Sequence, residues 1–219
     1  MSPLTILYQD DWLIAVDKPA GQLVHPAENP QPDDLVTMKI LRDQVGEQVN
    51  AAHRLDRPTT GVLLFTTQCS ATRALGRAFQ RHQVQKTYHS IIDGRPTENE
   101  WTCEEAIQKN PDSSLREART DFRVLAHLND ELTLLEANPL TGRYHQIRRH
   151  LLHNGTPIVG DYRYASYERS QELSDRYHLE TRMLLQCQSL TFPHPVSKEE
   201  LTITAPPDPF FKRITASSS

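Results

Sequence analysis

The sequence predicts an α+β fold with a mixed, largely antiparallel central sheet that is flanked by helices. Two observations lead to this prediction. Segments with helical periodicity and segments with strand periodicity are interspersed along the 219 residues, and many of the predicted strands are joined by hairpins. A doubly wound parallel sheet would need helical crossovers instead. Because there is no internal repeat and no clear linker, we expect a single domain over residues 1–219.

The first third of the chain is predicted to contain a hairpin and a helix. Two short β-rich runs make up the hairpin at residues 5–17. Turn chemistry follows, which places Lys18 at the end of a strand. A stripe of apolar residues then predicts a helix that stops at Gly46, with Asp33 or Asp34 available as its N-cap.

A short charged loop, HRLDRPTTG, occupies residues 53–61. One carboxylate, Asp56, sits between the guanidinium groups of Arg54 and Arg57, and the apolar run 62–65 follows directly. The segment is too charged for a core strand, and it is too rich in proline, threonine and glycine for a helix interior. We therefore predict a loop at the mouth of a buried strand, and taken alone such a loop is ordinarily solvated surface.

The middle of the chain has clear periodicity. Apolar positions from 71 to 79 follow the spacing of an amphipathic helix without a miss. Residues 84–93 read as a strand whose Lys86 and Tyr88 share one face. A hairpin is predicted at 120–137. Two further strands are expected near the C-terminus, at 190–192 and 201–204.

A third helix is predicted from about Arg143 to His153. Tyr144, Ile147, Arg148 and Leu151 occupy positions i, i+3, i+4 and i+7, so Arg148 lies on the same face as the apolar residues. A buried guanidinium keeps its proton and needs a carboxylate partner. The alternative is that Arg148 lies at the edge of the stripe and extends to water.

Composition and charge limit the possible classes of protein. With 37% hydrophobic and 24% charged residues, the chain is typical of a soluble globular protein. It has no recognisable leader and no apolar run of membrane-spanning length, so we expect a cytoplasmic protein without a membrane partner. A net charge of -4 disfavours binding of nucleic acid by bulk charge, although only the face that meets phosphate needs to be positive.

Motifs for several further kinds of chemistry are missing. His145, His150 and His153 fall near one helix, but their offsets do not match a zinc motif and no cysteine is close, so we expect no metal. There is no GxSxG elbow, P-loop or GxGxxG. Asp56 has no acidic companion in its own motif for glycoside hydrolysis. Three carboxylates outside the motif could approach it in space, namely Asp10, Asp17 and Asp161.

Four segments together resemble the RluA-type family of RNA pseudouridine synthases. In the family's order they are KPAGQLVH at 18–25, HRLDRPTTG at 53–61, KTY at 86–88 and LTGRYHQIRRHL at 140–151. Each alone would be weak, whereas four in order over most of the chain are specific. The resemblance implies the pseudouridine synthase catalytic fold with an RNA-binding cleft, without the N-terminal S4-like domain of some ribosomal enzymes.

The resemblance also implies roles for individual residues. Asp56 matches the catalytic aspartate, Tyr88 the active-site tyrosine and Arg148 the arginine that pairs with the aspartate. Arg54 matches the residue that fills the gap left by a flipped nucleotide. Arg57, on the other side of Asp56, is placed to meet phosphate or the vacated stack. The basic surface would be extended by Lys18, Lys86, Arg143 and Arg149.

Pseudouridine formation agrees with these residue types. It breaks the N1–C1′ bond of uridine, turns the uracil and rejoins it through C5, so no cofactor is expected. One nucleophilic carboxylate suffices, either by adding to the base or by acting at the sugar. Arg148 would lower the pKa of Asp56, and Tyr88 offers a ring for stacking and a hydroxyl for proton transfer. The target uridine must leave its helical stack.

The RNA target is predicted less directly. Segments 56–59 and 148–151 are similar to the branch that modifies uridine 65 of tRNA, which favours tRNA over ribosomal RNA, although the chain is short for that branch. The same reaction on ribosomal RNA stays open. So does a non-catalytic RNA-binding or chaperone protein with the same cleft, and so does a hydrolase that releases free uracil. We expect a monomer.

Overall fold

The computed structural model describes residues 2–216, which form two compact units. Of the described residues, the first unit comprises 2–85 and 187–206, and the second comprises 86–186 and 207–216. In chain order the elements are β1 (Thr5–Gln9), β2 (Leu13–Lys18), α1 (Thr37–Val45), β3 (Asn50–Ala51), β4 (Thr60–Thr66), α2 (Cys69–Gln80), β5 (Gln85–Asp93), β6 (Glu100–Cys103), β7 (Thr120–His127), β8 (Leu132–Pro139), α3 (Gln146–His153), α4 (Tyr167–Tyr177), β9 (Leu185–Pro193), β10 (Glu200–Thr204) and α5 (Pro209–Ala216).

The strands of the first unit run in the order β1, β2, β4 and β9, with β3 paired to β4 and β10 paired to β9. The predicted hairpin at the N-terminus is confirmed, since β1 and β2 pair antiparallel. Every residue of β4 is buried, as its continuous apolar run indicated. Gly61 in β4 has φ 98°, and a Cβ there would collide with the main-chain carbonyl of Cys187, so this position requires glycine.

The strands of the second unit run in the order β5, β8, β7 and β6. Registers for β5 with β8, β8 with β7 and β7 with β6 are all antiparallel. Helices α4 and α5 contribute Leu173, Phe211 and Ile214 to a core that also contains Ile91 and Leu132. Helix α3 packs beside β7 and β8. The predicted α+β class, with largely antiparallel strands, is confirmed.

Several element boundaries differ from the sequence prediction. The third predicted helix begins at Gln146 instead of Arg143, because His145 adopts a left-handed conformation with φ 52° and ψ 34°. The N-cap of α1 is Val36 without a side-chain bond, so the expected cap by Asp33 or Asp34 is wrong. Polar segments to which no element was assigned contain β6 and α4. No helix in the described part of the chain is long and apolar enough to cross a membrane.

Candidate active site

The loop at 53–61 belongs to the first unit, where its main chain is tied to the turn after β2. The Gly21 N–H donates to the Arg57 carbonyl oxygen at 2.9 Å, and Arg57 Nε donates back to the Gly21 oxygen at 2.9 Å. Within the loop, the Thr59 N–H donates to the Asp56 oxygen at 3.1 Å. These bonds fix the backbone that carries the partly buried Asp56.

A buried lysine completes this anchor. Lys18 is fully buried, and its Nζ donates to the carbonyl oxygens of Pro19 at 2.9 Å, Arg57 at 3.1 Å and Thr59 at 2.9 Å. An ammonium group has three protons to donate, so carbonyls on both sides of Pro58 are held by one cation. The prediction that Lys18 extends a basic surface is therefore corrected, because its side chain lies inside the protein.

The two arginines that flank Asp56 are both exposed. Arg57 Nη1 lies 3.1 Å from Asp34 Oδ1. Arg54 has no ion pair among the described residues, so its guanidinium is available to a ligand. Burial lowers the pKa of His25, and the positive charge of Arg54 lowers it further.

Arg148 is buried in the second unit, which confirms its predicted inward face. Its Nε donates to Asp161 Oδ2 and its Nη2 to Asp161 Oδ1, each at 2.7 Å. The side chains of Arg148 and Asp161 are 5% and 1% exposed. This bidentate geometry is the strong form of an arginine–carboxylate pair, and it fixes the plane of the guanidinium.

Asp161 is the residue whose role the sequence did not identify. The helical pattern indicated that Arg148 needs a carboxylate, and the family resemblance implied that this carboxylate is Asp56. In the structure, both carboxylate oxygens of Asp161 accept hydrogen bonds from the Arg148 guanidinium. The position of Asp161 depends on Gly160, which has φ 77° and where a Cβ would collide with the Arg182 main chain. The pairing of Arg148 with Asp56 stays a prediction.

Helix α3 is held in place by two buried polar side chains. Gln146 accepts from the Thr141 hydroxyl at 2.6 Å and donates to Thr120 Oγ1 at 3.0 Å. The two ring nitrogens of His150 lie 2.9 Å from Thr120 Oγ1 and 3.0 Å from the Glu105 carbonyl oxygen. The carbonyl contact requires an N–H on Nε2, so a neutral ring accepting the Thr120 proton at Nδ1 satisfies both. Burial lowers the pKa of His150, which favours this neutral form.

An aromatic ring lies against the buried guanidinium, and further rings pack around that ring. The Arg148 guanidinium carbon lies 5.0 Å from the centre of the Tyr164 ring, a cation–π distance. His145 Nδ1 lies 2.9 Å from the Tyr164 hydroxyl, and its ring stacks on Tyr144 with centroids 3.7 Å apart. Burial raises the pKa of Tyr164, against the opposing effect of the nearby arginines. These contacts explain why His145 accepts a left-handed conformation before α3.

The remaining predicted site residues of the second unit make specific main-chain contacts. Tyr88 is 8% exposed and lies opposite Ala137 on β8. Lys86, Arg143 and Arg149 each donate to a main-chain carbonyl, at distances of 2.9, 2.9 and 2.5 Å. All three are partly buried, so they support surrounding loops as well as providing positive charge.

The described residues offer no obvious ligand set for a metal. Among residues 2–216, no group of three or more His, Cys, Asp or Glu side chains is arranged to hold an ion. The three cysteines, Cys69, Cys103 and Cys187, are free thiols, and the last two are buried.

Comparison with known proteins identifies the family. Residues 12–153 match the model of a family described as RNA pseudouridylate synthase. The chain belongs to this family. The family assignment confirms the enzyme class that the four sequence motifs indicated, an isomerase that forms pseudouridine in RNA.

Individual relatives agree with the assignment. The chain is 36% identical to tRNA pseudouridine synthase C of Pectobacterium carotovorum, over 92% of this chain and 58% of that protein. It is 35% identical to tRNA pseudouridine synthase C of Salmonella typhi, over 92% of this chain and 85% of that protein. It thus spans somewhat over half the length of the first relative and most of the second.

Two solved human structures share the fold. One, human RNA pseudouridylate synthase domain containing 1, has a TM-score of 0.78 and 26% identity, with coverage of 99% of this chain and 90% of that chain. The other, human RNA pseudouridylate synthase domain containing 4, has a TM-score of 0.79 and 24% identity, with coverage of 97% and 92%. The predicted catalytic fold is therefore confirmed.

Proposed function

We propose that this protein isomerises a specific uridine of tRNA to pseudouridine, and that the target is of the uridine 65 type. The observation that carries the proposal is the similarity over 92% of the chain to enzymes named tRNA pseudouridine synthase C. The motifs at residues 56–59 and 148–151 support the same branch. The expected localisation is cytoplasmic, as for the tRNA pool.

Asp56 is the proposed nucleophile on a flipped-out uridine. Its backbone is fixed by the bonds to Gly21 and by the buried Lys18, which suits a group that must hold one position against a substrate. Attack on the base and action at the sugar are both consistent with one carboxylate. Neither route needs a cofactor, because substrate and product are isomers.

Arg148 is the proposed cationic partner of ionised Asp56, as the family resemblance implies. A guanidinium whose plane is fixed by Asp161 can offer its remaining donors in a defined direction. Tyr88 is proposed to stack on the uracil and to help move a proton between C5 and solvent or base. Arg54 is proposed to occupy the gap left by the flipped nucleotide.

The nucleophile is tested by Asp56→Asn, which keeps the shape and removes the negative charge. We expect pseudouridine formation on a tRNA transcript to fall by about 10³-fold or more, with the affinity for tRNA nearly unchanged. Asp112→Asn is a matched control, because this carboxylate is exposed. Modification at the normal rate by the Asp56 variant would remove Asp56 from the role of nucleophile.

The substrate is tested by mapping. Pseudouridine should appear at position 65 of tRNA treated with the purified protein, and it should be missing there in cells that lack the protein. Modification of ribosomal RNA with tRNA left unmodified would favour ribosomal RNA as the substrate. Tight RNA binding without any product would indicate a binding or chaperone protein, and free uracil among the products would indicate a hydrolase.

A further inference from the structure

We propose that the exposed side of α2 binds the phosphate backbone of the RNA substrate, an inference that rests on the proposed function. Arg73, Arg77 and Arg81 recur at every fourth position along α2 and its C-cap, and all three are exposed. Side chains four residues apart lie on one side of a helix, about 6 Å apart along its axis. We call these three residues the α2 arginine face.

The α2 arginine face lies on the opposite side of the helix from the core. Ala71, Leu75 and Ala78 are the buried residues of α2, and the helix packs against β4. At 100° per residue, Arg73 and Arg77 are rotated far from that apolar stripe. The three guanidinium groups therefore extend into solvent from a rigid support, and their spacing is fixed by the helix.

The positive charge of this face is not compensated. Helix α2 contains no acidic residue, and none of its three arginines makes an ion pair or a side-chain hydrogen bond within the described part of the chain. Several other exposed arginines are paired with carboxylates, whereas exposed Arg54, Arg116 and Arg163, like the α2 arginines, have no ion pair among the described residues. Examples of the ion pairs are Arg42–Asp43, Arg95–Asp130, Arg119–Glu104, Arg123–Glu136 and Arg176–Glu131.

The helix dipole accounts for only part of this pattern. Basic residues near a helix C-terminus are favourable by about 0.3–1 kcal/mol, an effect confined to the last turn. It could explain Arg77 and Arg81, which lie in the last turn and at the cap. It does not explain Arg73, which lies in the first half of α2, so the alignment of all three needs another cause.

The C-terminal end of α2 is adjacent to the loop that carries Asp56, within the first unit. The rings of Phe79 on α2 and His53 at the start of the loop lie with their centroids 5.8 Å apart. His53 Nε2 also accepts the Leu64 N–H at 3.1 Å, which ties the loop to β4. Because the C-terminal end of α2 lies beside this loop, RNA bound near Asp56 can continue along the helix.

An RNA backbone suits this face better than an acidic protein does. The protein carries a net charge of -4, so its overall field repels a polyanion and a local basic face is needed to overcome that repulsion. A row of evenly spaced guanidinium groups matches the regular phosphates of a strand, and arginine binds phosphate bidentately. Phosphate contacts set the register of the RNA without reading its sequence.

The test compares two triple variants that each remove three positive charges. Arg73→Gln/Arg77→Gln/Arg81→Gln changes the α2 arginine face, and glutamine keeps helix propensity. Arg42→Gln/Arg123→Gln/Arg176→Gln is the matched control, at side chains 44%, 52% and 44% exposed that already have acidic partners. Equilibrium binding of a tRNA transcript is measured across a range of KCl concentrations, with thermal unfolding to show that each variant is folded.

We expect the α2 variant to bind tRNA about tenfold or more weakly at low salt, with the slope of log affinity against log salt reduced by about 2 to 3. For the control variant, log affinity should depend on log salt at least as steeply as it does for the wild type. Turnover at saturating tRNA should be nearly unchanged in the α2 variant, because Asp56 is intact. If the triple variant does not fold, Arg73→Gln alone should reduce the slope by about 1.

Wild-type affinity and slope in the α2 variant would overturn the inference, and the face would then be assigned to an acidic protein or to plain solvent. Equal weakening by both triple variants would also overturn it, since only net charge would matter. Failure of the proposed function gives a different result. In that case the wild-type protein forms no pseudouridine, whether or not its RNA binding depends on the α2 arginine face.

Discussion

Among the residues whose burial the structure describes, each of the two units contains one buried Lys or Arg, and these two cations are held in different ways. Lys18 in the first unit donates to three main-chain carbonyls. Arg148 in the second unit is bound by both oxygens of one carboxylate, Asp161. Lys18 thus fixes a backbone, and Asp161 fixes a side chain.

The difference follows from what each unit must position. Residues 53–58 of the Asp56 loop are not in a strand, so their main-chain carbonyls lack the partners that a sheet would supply. A compact ammonium with three donors can bind several such carbonyls at once. Arg148 is already located by α3, and only the orientation of its planar guanidinium is free. A carboxylate removes that freedom through two parallel bonds. Three variants test this contrast and a fourth tests the titration of His150, from the largest expected effect to the smallest.

Asp161→Asn should have the largest effect on stability. It removes the carboxylate that holds the buried guanidinium by two hydrogen bonds, and breaking such a buried pair costs about 3–5 kcal/mol of unfolding free energy. Denaturant unfolding measures the loss, and Asp130→Asn, at a fully exposed carboxylate, is the control. If Asp161 only stabilises the fold, kcat of the remaining folded enzyme should be normal. We expect kcat to fall instead, with KM for tRNA little changed.

Lys18→Met should come second. The side chain keeps its length and loses the ammonium, so three carbonyls lose a charged donor, at a cost of about 2–3 kcal/mol. Lys39→Met is the matched control, because Lys39 is exposed. Turnover should fall with the loosening of the Asp56 loop. Unchanged stability and unchanged turnover would show that water replaces the ammonium without consequence.

Replacing both members of the buried pair, as in Arg148→Met/Asp161→Val, should change stability much less than Asp161→Asn does. Apolar residues of roughly similar volume remove both desolvated charges together, so we expect a change within about 1–2 kcal/mol in either direction. Pseudouridine formation should nevertheless be lost. A stable and fully active double variant would show that neither the guanidinium nor its orientation is needed.

Acid should weaken the fold slightly through His150. Its pKa is lower in the folded protein than in the unfolded chain, so its contribution to stability is complete above the unfolded pKa of about 6.5. That contribution is lost as pH falls through the folded pKa, because the unfolded state binds more protons. His150→Gln should show a shallower decline of unfolding free energy below pH of about 6.5 than the wild type, whereas His153→Gln, at an exposed position, should not. Equal pH profiles for wild type and His150→Gln would contradict this.

Local patterns predicted many elements correctly. The amphipathic spacing between 71 and 79 corresponds to α2, and the alternation between 120 and 137 corresponds to β7 and β8. Helix α4 was missed because its stripe contains only one fully buried apolar residue, Leu173, so the hydrophobic period was too weak to detect. Strand β6 was missed because four residues are too few for alternation to be visible.

The sequence by itself determined the class of fold, the family and the inward position of Arg148, since these depend on spacing within one element and on motifs with a fixed order. The tertiary structure alone decided which groups hold these residues. Burial of Lys18 depends on carbonyls 39 and 41 residues away, and the partner of Arg148 lies 13 residues along the chain, beyond the end of α3. A side chain's partner is set by chain packing in three dimensions, and neither periodicity nor charge order encodes that packing directly.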